Sequence, residues 1–441
     1  MADLGFFLKN VLVVSLAMNL GLIWKISHDG EKTLTSKWKW GDMLHFHGCC
    51  FNDQKNNRVE EEELLVSKRT EEILETTSSP AAAPEDWESV VINLDHGDPT
   101  MYENFWKQKG DQETTVVTSS WQHISYFSDV KNVCWFLEPG LVSAIARLHK
   151  VVGNAVTEGR HIVVGTGSSQ LYQAALYALS PPNGSGPMNV VSAAPFYSSY
   201  PLMTDYLKSG LHKWAGDAYE FNKQEPYIEL VTSPNNPDGF TRQDVVKGDK
   251  GILIHDLAYY WPQYTPILVP ADYDIMLFTA SKSTGHAGSR IGWAIVKDRE
   301  IAKKMTTFIE INTIGVSKDS QIRAAKILQA VSDSCGQENQ KGAETFFDYS
   351  YKLMAERWKK IREAVNKTEL FSLPSFPPET CSFSGRTFGQ LPAFAWLKCE
   401  GEVDDCESFL RRHKILTRGG KHFGAEHEIC EDQHVESRER V

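Results

Sequence analysis

The sequence predicts an α/β protein: a large domain built on a mostly parallel sheet, followed by a smaller α+β domain. Three observations carry this expectation. Short apolar runs alternate with helical periodicity between about residues 90 and 316. Residues able to do chemistry cluster just after the ends of those runs. From about Ser317 the periodicity turns helical, through Gln321–Cys335 and Phe346–Val365, before FAWLKCE returns as a strand.

Taken in order, the chain opens on a hydrophobic segment, 1–25. Within it Phe6–Trp24 is interrupted only by Lys9, Asn10 and Asn19, near the minimum length of a membrane span. A single-pass anchor is the expectation, with a signal peptide or an interfacial helix as alternatives. Small residues suited to cleavage do not follow, which weakens the signal peptide. Lys25, Lys32, Lys37 and Lys39 lie after the segment, so the positive-inside rule leaves the rest of the chain in the cytosol. Residues 26–89 read as a polar linker, with an acidic run at Glu60–Glu63 and a soft stretch at Ser78–Pro84. Order is expected from about Val90, where VVINLDHGDPT reads as a short strand and turn. The large domain, 90–316, then contains HIVVGTG, NVVSAAP, YIELVTSPNNPDG, GILIHDLAYYW, DIMLFTASK and IGWAIVKD as strands, with SSQLYQAALYALS as a helix. Residues 317–424 form the smaller domain. The last residues, 425–441, are dense in charge without alternation and read as a disordered tail.

Composition narrows the function classes. A length of 441 residues is ample for a large enzyme core, and a net charge of -11 argues against a nucleic-acid partner. Eight cysteines are scattered without CxxC or Cys/His metal spacing, so no metal is expected and mostly reduced thiols are favoured over a disulfide framework.

Five motifs carry chemistry. FTASKSTGHAGSRIGW, Phe278–Trp293, sets Ser281 beside Lys282, with Arg290 eight residues beyond the lysine. That spacing suits an amine that forms a covalent link, next to hydroxyls and a guanidinium that hold a phosphate dianion. HIVVGTGSSQ ends a strand in a Gly-rich turn and opens a helix at Ser168 and Ser169, a second phosphate cradle. By itself it is weak, and it matches neither a P-loop nor a dinucleotide fingerprint. SPNNPDG offers the Asn236 amide, although an Asn-Pro turn is common. IHDLAYYW places Asp256 at a strand end, where an aspartate keeps a pyridine nitrogen protonated, with Tyr259 three residues on. APFYSSYP supplies an aromatic to stack on a ring: Phe196 is the first choice, Tyr197 the second, and core packing the bland alternative. Each signal is modest alone. Their order matches one cofactor, pyridoxal 5′-phosphate (PLP), with Lys282 as the attachment point.

On these motifs, together with LDHGDPTMYENFW, HDLAYYWPQY and ILTRGGKHFG, the chain resembles the fold-type-I PLP-dependent aminotransferases. It is most similar to the plant alliinase and tryptophan-aminotransferase-related family, from roughly Val90 to Gly424. The resemblance implies that Lys282 is catalytic and carries the cofactor. It implies that Asp256 pairs with the ring nitrogen, and that Asn236 and Tyr259 contact the phenolic oxygen. Ser168, Ser169, Thr279, Ser281 and Arg290 would hold the phosphate. Tyr102 would reach the cofactor of a partner subunit in a homodimer. The implied reaction is transamination of L-tryptophan with a keto acid such as pyruvate, giving indole-3-pyruvate for auxin biosynthesis. The implied location is the endoplasmic-reticulum membrane with the catalytic domain facing the cytosol.

One departure stands out. In the family, the strand after RGGKHFG carries an arginine that binds the substrate carboxylate; here that stretch reads AEHEICEDQHVESRERV. Arg438 and Arg440 are not placed to replace it. Two alternatives follow: an alliinase-like carbon–sulfur lyase, or a PLP-binding variant with impaired catalysis. Against the lyase, only Cys49 and Cys50 occupy the region where such lyases carry a Cys-rich module.

Overall fold

The computed structural model describes residues 91–432, except 96, 110, 182–185, 337–343, 402 and 427–428. The chain divides into two units, Met1–Glu85 and Asp86–Val441, and every described residue belongs to the second. The expected anchor over residues 6–24 and the polar linker lie outside the described residues. Among the described residues, no helix is long and apolar enough to cross a membrane.

A seven-stranded sheet forms the centre. Its strands are β1 (His161–Gly165), β2 (Met188–Ser192), β3 (His212–Asp217), β4 (Tyr227–Thr232), β5 (Gly251–Asp256), β6 (Ile275–Thr279) and β7 (Gly292–Val296). They lie in the order β1-β7-β6-β5-β4-β2-β3, and only β7 runs antiparallel to its neighbours. Strands β2, β4, β6 and β7 are buried at every residue, which is why they read as unbroken apolar runs rather than alternating ones.

Beyond two short helices at Glu103–Lys109 and Asp111–Thr114, the described α-helices are α1 (Pro139–Val152), α2 (Gly167–Leu179), α3 (Tyr200–Asp205), α4 (Ala280–Ser283), α5 (Arg299–Thr313), α6 (Lys318–Gly336), α7 (Phe346–Val365) and α8 (Cys406–Arg412). Helix α2 packs against α5, and α1 against α6. Side-chain caps fix several starts: the Asp298 carboxylate accepts from Ile301 N at 2.8 Å at the head of α5, and the Thr345 hydroxyl accepts from Asp348 N at 3.0 Å at the head of α7. One apolar core runs from Tyr102 and Phe105 through Trp261 and Trp293 to Phe346, Trp358 and Phe394.

A second, four-stranded antiparallel sheet contains β8 (Phe371–Ser372), β9 (Ala395–Cys399), β10 (Arg418–Gly419) and β11 (Ile429–Asp432), in the order β10-β11-β9-β8. It corrects one expectation. Part of the segment read as a disordered tail is strand β11, inserted between β10 and β9. Ile429 and Cys430 supply apolar character amid the charge, and two flanking strands satisfy the backbone that a lone charged segment would leave to water. Cys399 and Cys406 form a disulfide, because the turn from β9 into α8 brings their Cα atoms to 5.6 Å, while Cys134, Cys335, Cys381 and Cys430 are thiols, so among the described residues most cysteines are reduced. The bridged pair packs with Cys430 and Leu410 in a small satellite core.

Candidate active site

The carboxyl ends of the parallel strands converge on one cavity of about 390 Å³. Strand β1 leads into α2 and delivers Ser168 and Ser169; β4 leads to Asn236, β5 ends at Asp256, and β6 runs into Thr279, Ser281 and Lys282. Arg290 precedes β7, and antiparallel pairing of Thr279 with Gly292 brings it to the same edge. Nine of the sequence-predicted residues therefore line the cavity: Ser168, Ser169, Asn236, Asp256, Tyr259, Thr279, Ser281, Lys282 and Arg290.

Lys282 sits on the four-residue helix α4, capped by the Thr279 hydroxyl, which accepts from Ser281 N at 3.2 Å. Its carbonyl accepts from the Gln263 amide at 3.2 Å and from the Tyr264 hydroxyl at 3.3 Å, so the backbone under the lysine is pinned from behind. The amine lies 5.3 Å from the centre of the Tyr259 ring and 5.5 Å from that of Phe394. Asp256 is held through both oxygens: Oδ1 accepts from Ala258 N at 3.1 Å and Oδ2 from the Tyr200 hydroxyl at 2.8 Å. Burial pushes the Asp256 carboxyl above its usual value, against those two hydrogen bonds, which favour the ionised form. Burial also holds Tyr200 well above the usual phenol value, so it stays a donor to Asp256.

The opposite corner is built for an anion. Arg290 adopts φ +52° and arches over the start of α2, where a Cβ on Gly167 would meet its Nη2 at 2.5 Å. Gly292 allows β7 to pass under that turn, since a Cβ there would lie 2.7 Å from Gly167 C and Ser168 N. The Asn236 side chain is buried, and its Oδ1 has no hydrogen-bond partner.

Two predicted residues are elsewhere. Phe196 does not line the cavity: its ring packs edge-on to Trp214, 4.9 Å between centroids, and its backbone N donates to the Phe423 carbonyl at 2.9 Å. Tyr197 lines the cavity instead. Of the two rings that the motif offers, the second choice is the one facing inward, because a loop has no period to fix which side chain does so. Tyr102 is also outside the lining and is 1% exposed. Its hydroxyl donates to that of Tyr264 at 3.4 Å and its ring meets Phe346 edge-on. Sequence reasoning missed Tyr200, Thr232, Phe394 and Arg418, all cavity-lining. Tyr200 and Arg418 do lie inside the quoted motifs APFYSSYP and ILTRGGKHFG, which was their available signal.

Comparison with known proteins settles the family. The family model described as "Allinase" matches residues 92–435. The chain belongs to the alliinase family. It is 56% identical over 423 residues to tryptophan aminotransferase-related protein 2 of Arabidopsis thaliana, covering 95% of this chain and 91% of that one. Identity is 57% to tryptophan aminotransferase-related protein 1 of Oryza sativa subsp. japonica, over 76% of this chain and 77% of the relative. An alliin lyase of Allium cepa var. aggregatum is 38% identical, over 75% of this chain and 74% of that one. Among solved structures, an aspartate aminotransferase from Thermus thermophilus superposes with a TM-score of 0.55 at 15% identity, over 85% of this chain and 92% of that one; at that identity it shows the fold alone, fold type I.

Members of the alliinase family are PLP-dependent enzymes. The cavity of this chain fits that cofactor. It has a lysine at its centre, hydroxyls, backbone N–H groups and an arginine at one corner, a buried carboxyl held by two donors, and an amide oxygen without a protein partner.

Proposed function

We propose that this chain transaminates L-tryptophan with a keto acid such as pyruvate, releasing indole-3-pyruvate for auxin synthesis. The observation that carries this reading is the placement of Lys282 between an anion-binding corner and the buried Asp256, in a chain whose relatives at 56–57% identity are named tryptophan aminotransferase-related proteins. PLP, when bound, supplies an aldehyde for the substrate amine and a ring that withdraws electrons from the bond being broken. Arg290, Ser168, Ser169, Thr279 and Ser281 would hold its phosphate, Asp256 would pair with the ring nitrogen, Asn236 and Tyr259 would contact the phenolic oxygen, and Tyr197 would pack on the ring. Lys282 Nζ takes the proton from the substrate α-carbon and returns it on the other side of the reaction. The Tyr259 and Phe394 rings beside that amine exclude water from it. The reading also includes a homodimer, and an endoplasmic-reticulum anchor over residues 6–24 supported by the lysines that follow it.

The test is the visible spectrum of the cofactor-loaded protein on adding L-tryptophan without keto acid, followed by product analysis after adding pyruvate. A spectral change with indole-3-pyruvate released supports the proposal. Pyruvate and ammonia released from a cysteine sulfoxide, with tryptophan inert, would replace it with the lyase reading, which the 38% identical alliin lyase keeps open.

A further inference from the structure

The cavity contains two guanidinium groups at separate places, and the reading above uses one of them. Arg290 overhangs the start of α2 beside Ser168 and Ser169. Arg418 enters the same cavity from β10, in the other sheet. Transamination of an amino acid brings two anions here, the phosphate of the cofactor and the α-carboxylate of the substrate. The α2 corner answers the first. We propose that Arg418 binds the second and so orients the amino acid; the inference rests on the reading of this site as one for an α-amino acid.

The geometry of the guanidinium supports this role. Nε donates to Asp95 Oδ1 at 3.1 Å, Nη2 to the Asp95 carbonyl at 2.9 Å, and Nη1 to Ser198 Oγ at 3.2 Å. An arginine has five N–H donors, so three are engaged, and one hydrogen on each Nη atom is left. Those two hydrogens are the donors that a carboxylate would take. Asp95 occupies the other edge and fixes the guanidinium plane, so little side-chain freedom remains to be lost on binding. The side chain is 26% exposed, open enough to be reached and sheltered enough for a charged hydrogen bond to count.

Charge inside the cavity agrees. Among its lining residues the cations are Lys282, Arg290 and Arg418, and the sole acid is Asp256. Lys282 must stay available to the reacting carbon, which leaves Arg418 for a carboxylate. Strand β11 offers no substitute, since its residues are Ile429, Cys430, Glu431 and Asp432. Its part is indirect: Arg418 pairs with Glu431 and Gly419 with Cys430, so β11 holds in place the strand that presents the arginine.

Two unreactive probes test the assignment without turnover: indole-3-propionate, which keeps the carboxylate and lacks the amine, and its amide. Both are titrated by calorimetry into cofactor-loaded wild type, Arg418→Gln and Arg418→Lys, after visible absorption confirms equal cofactor loading. Wild type should prefer the acid by about 30-fold or more, from charge-assisted hydrogen bonds. R418Q should lose that preference with the amide bound as before. R418K, charged but without the guanidinium, should retain only part of it, and it decides the matter alone if R418Q fails to load. An unchanged acid preference in both variants, or none in wild type, overturns the proposal. L-tryptophan turnover is assayed separately. Its absence with the acid preference intact sinks the transaminase reading and leaves the role of Arg418 standing.

Discussion

At the residue scale, three side chains divide the work and fail differently when removed. Lys282→Ala removes the amine that moves the proton, and turnover of L-tryptophan should fall by about 10³-fold or more. Thermal unfolding should change little, because the lysine's support comes through its backbone carbonyl, from Gln263 and Tyr264. Arg290→Gln should leave the fold intact and weaken cofactor binding by about 10-fold or more through loss of a charged contact. That is measured by equilibrium dialysis; unaltered affinity would remove Arg290 from the phosphate corner. Asp256 illustrates why identity alone does not set a role. Its carboxyl is buried and accepts from Tyr200 and Ala258, so burial raises its pKa while the two donors moderate the rise. Tyr200 thus positions Asp256 from behind, a contact between residues 56 apart in the chain that no local pattern announces.

At the element scale, close approach of backbones shapes the site. Gly292 on β7 faces Gly167 C, Ser168 N and the Phe278 carbonyl, all nearer than 3.0 Å to where a Cβ would stand. Backbone atoms cannot swing aside as side chains do. Gly292→Ala should therefore displace the start of α2 and lower both thermal stability and cofactor affinity; an alanine variant that matches wild type in both would refute the account. Strand β11 is the other decisive element. It lies inside its sheet, paired to β9 from Ala395–Asp432 to Lys398–Ile429, and to β10 on its far side. A proline there loses a ladder hydrogen bond with no open edge to absorb the change. Glu431→Pro should destabilise by about 3 kcal/mol in urea unfolding and weaken carboxylate binding as β10 loosens. Stability equal to wild type would mean that β11 contributes no structure in solution.

At the scale of the whole molecule, buried histidines link the fold to pH. His149 lies between Asn154 and Trp293: its Nδ1 is 2.8 Å from Asn154 Oδ1, and Trp293 Nε1 donates to its Nε2 at 2.9 Å. One nitrogen accepting and one donating requires the neutral ring, and burial lowers its pKa to about 4. His255 and His286 are lowered to about 4 as well, mainly by burial. A folded-state value below the unfolded value means that the unfolded chain takes up protons first. Stability present above pH ~6.5 is then lost as the pH falls towards 4, by about 3 kcal/mol for His149 alone. Asp256 works in the opposite sense, since its raised value costs stability as pH climbs from ~3.8 through the folded value. Glu229, also raised by burial, acts with it, and His212, also lowered by burial, acts with the other histidines. The unfolding midpoint of the loaded enzyme should drop between pH 6.5 and 4, and His149→Gln should flatten that slope. A midpoint flat over this range would contradict the neutral assignment.

Much of this was legible in the amino-acid order. Strands buried on both faces by covering helices must be apolar throughout, so β1, β2 and β4 to β7 announce themselves, and their ends mark where a site forms. Lys282, Asn236 and the serines of α2 were readable because each follows such a run at short range, Asp256 because it ends one, and Arg290 because it stands just before one. Edge strand β3, with exposed Lys213 and half-buried neighbours, carries no such signal, and neither does surface helix α5, whose polar face dilutes its apolar stripe. Tertiary structure alone decided that Tyr197 rather than Phe196 faces the cavity, that Tyr102 packs against Tyr264 and Phe346, that part of a charge-dense tail pairs as β11, and that Arg418 arrives from the second sheet. Each depends on contacts between segments distant in sequence. Local propensity sets the elements, but which side chains meet in space follows from how whole sheets and loops pack.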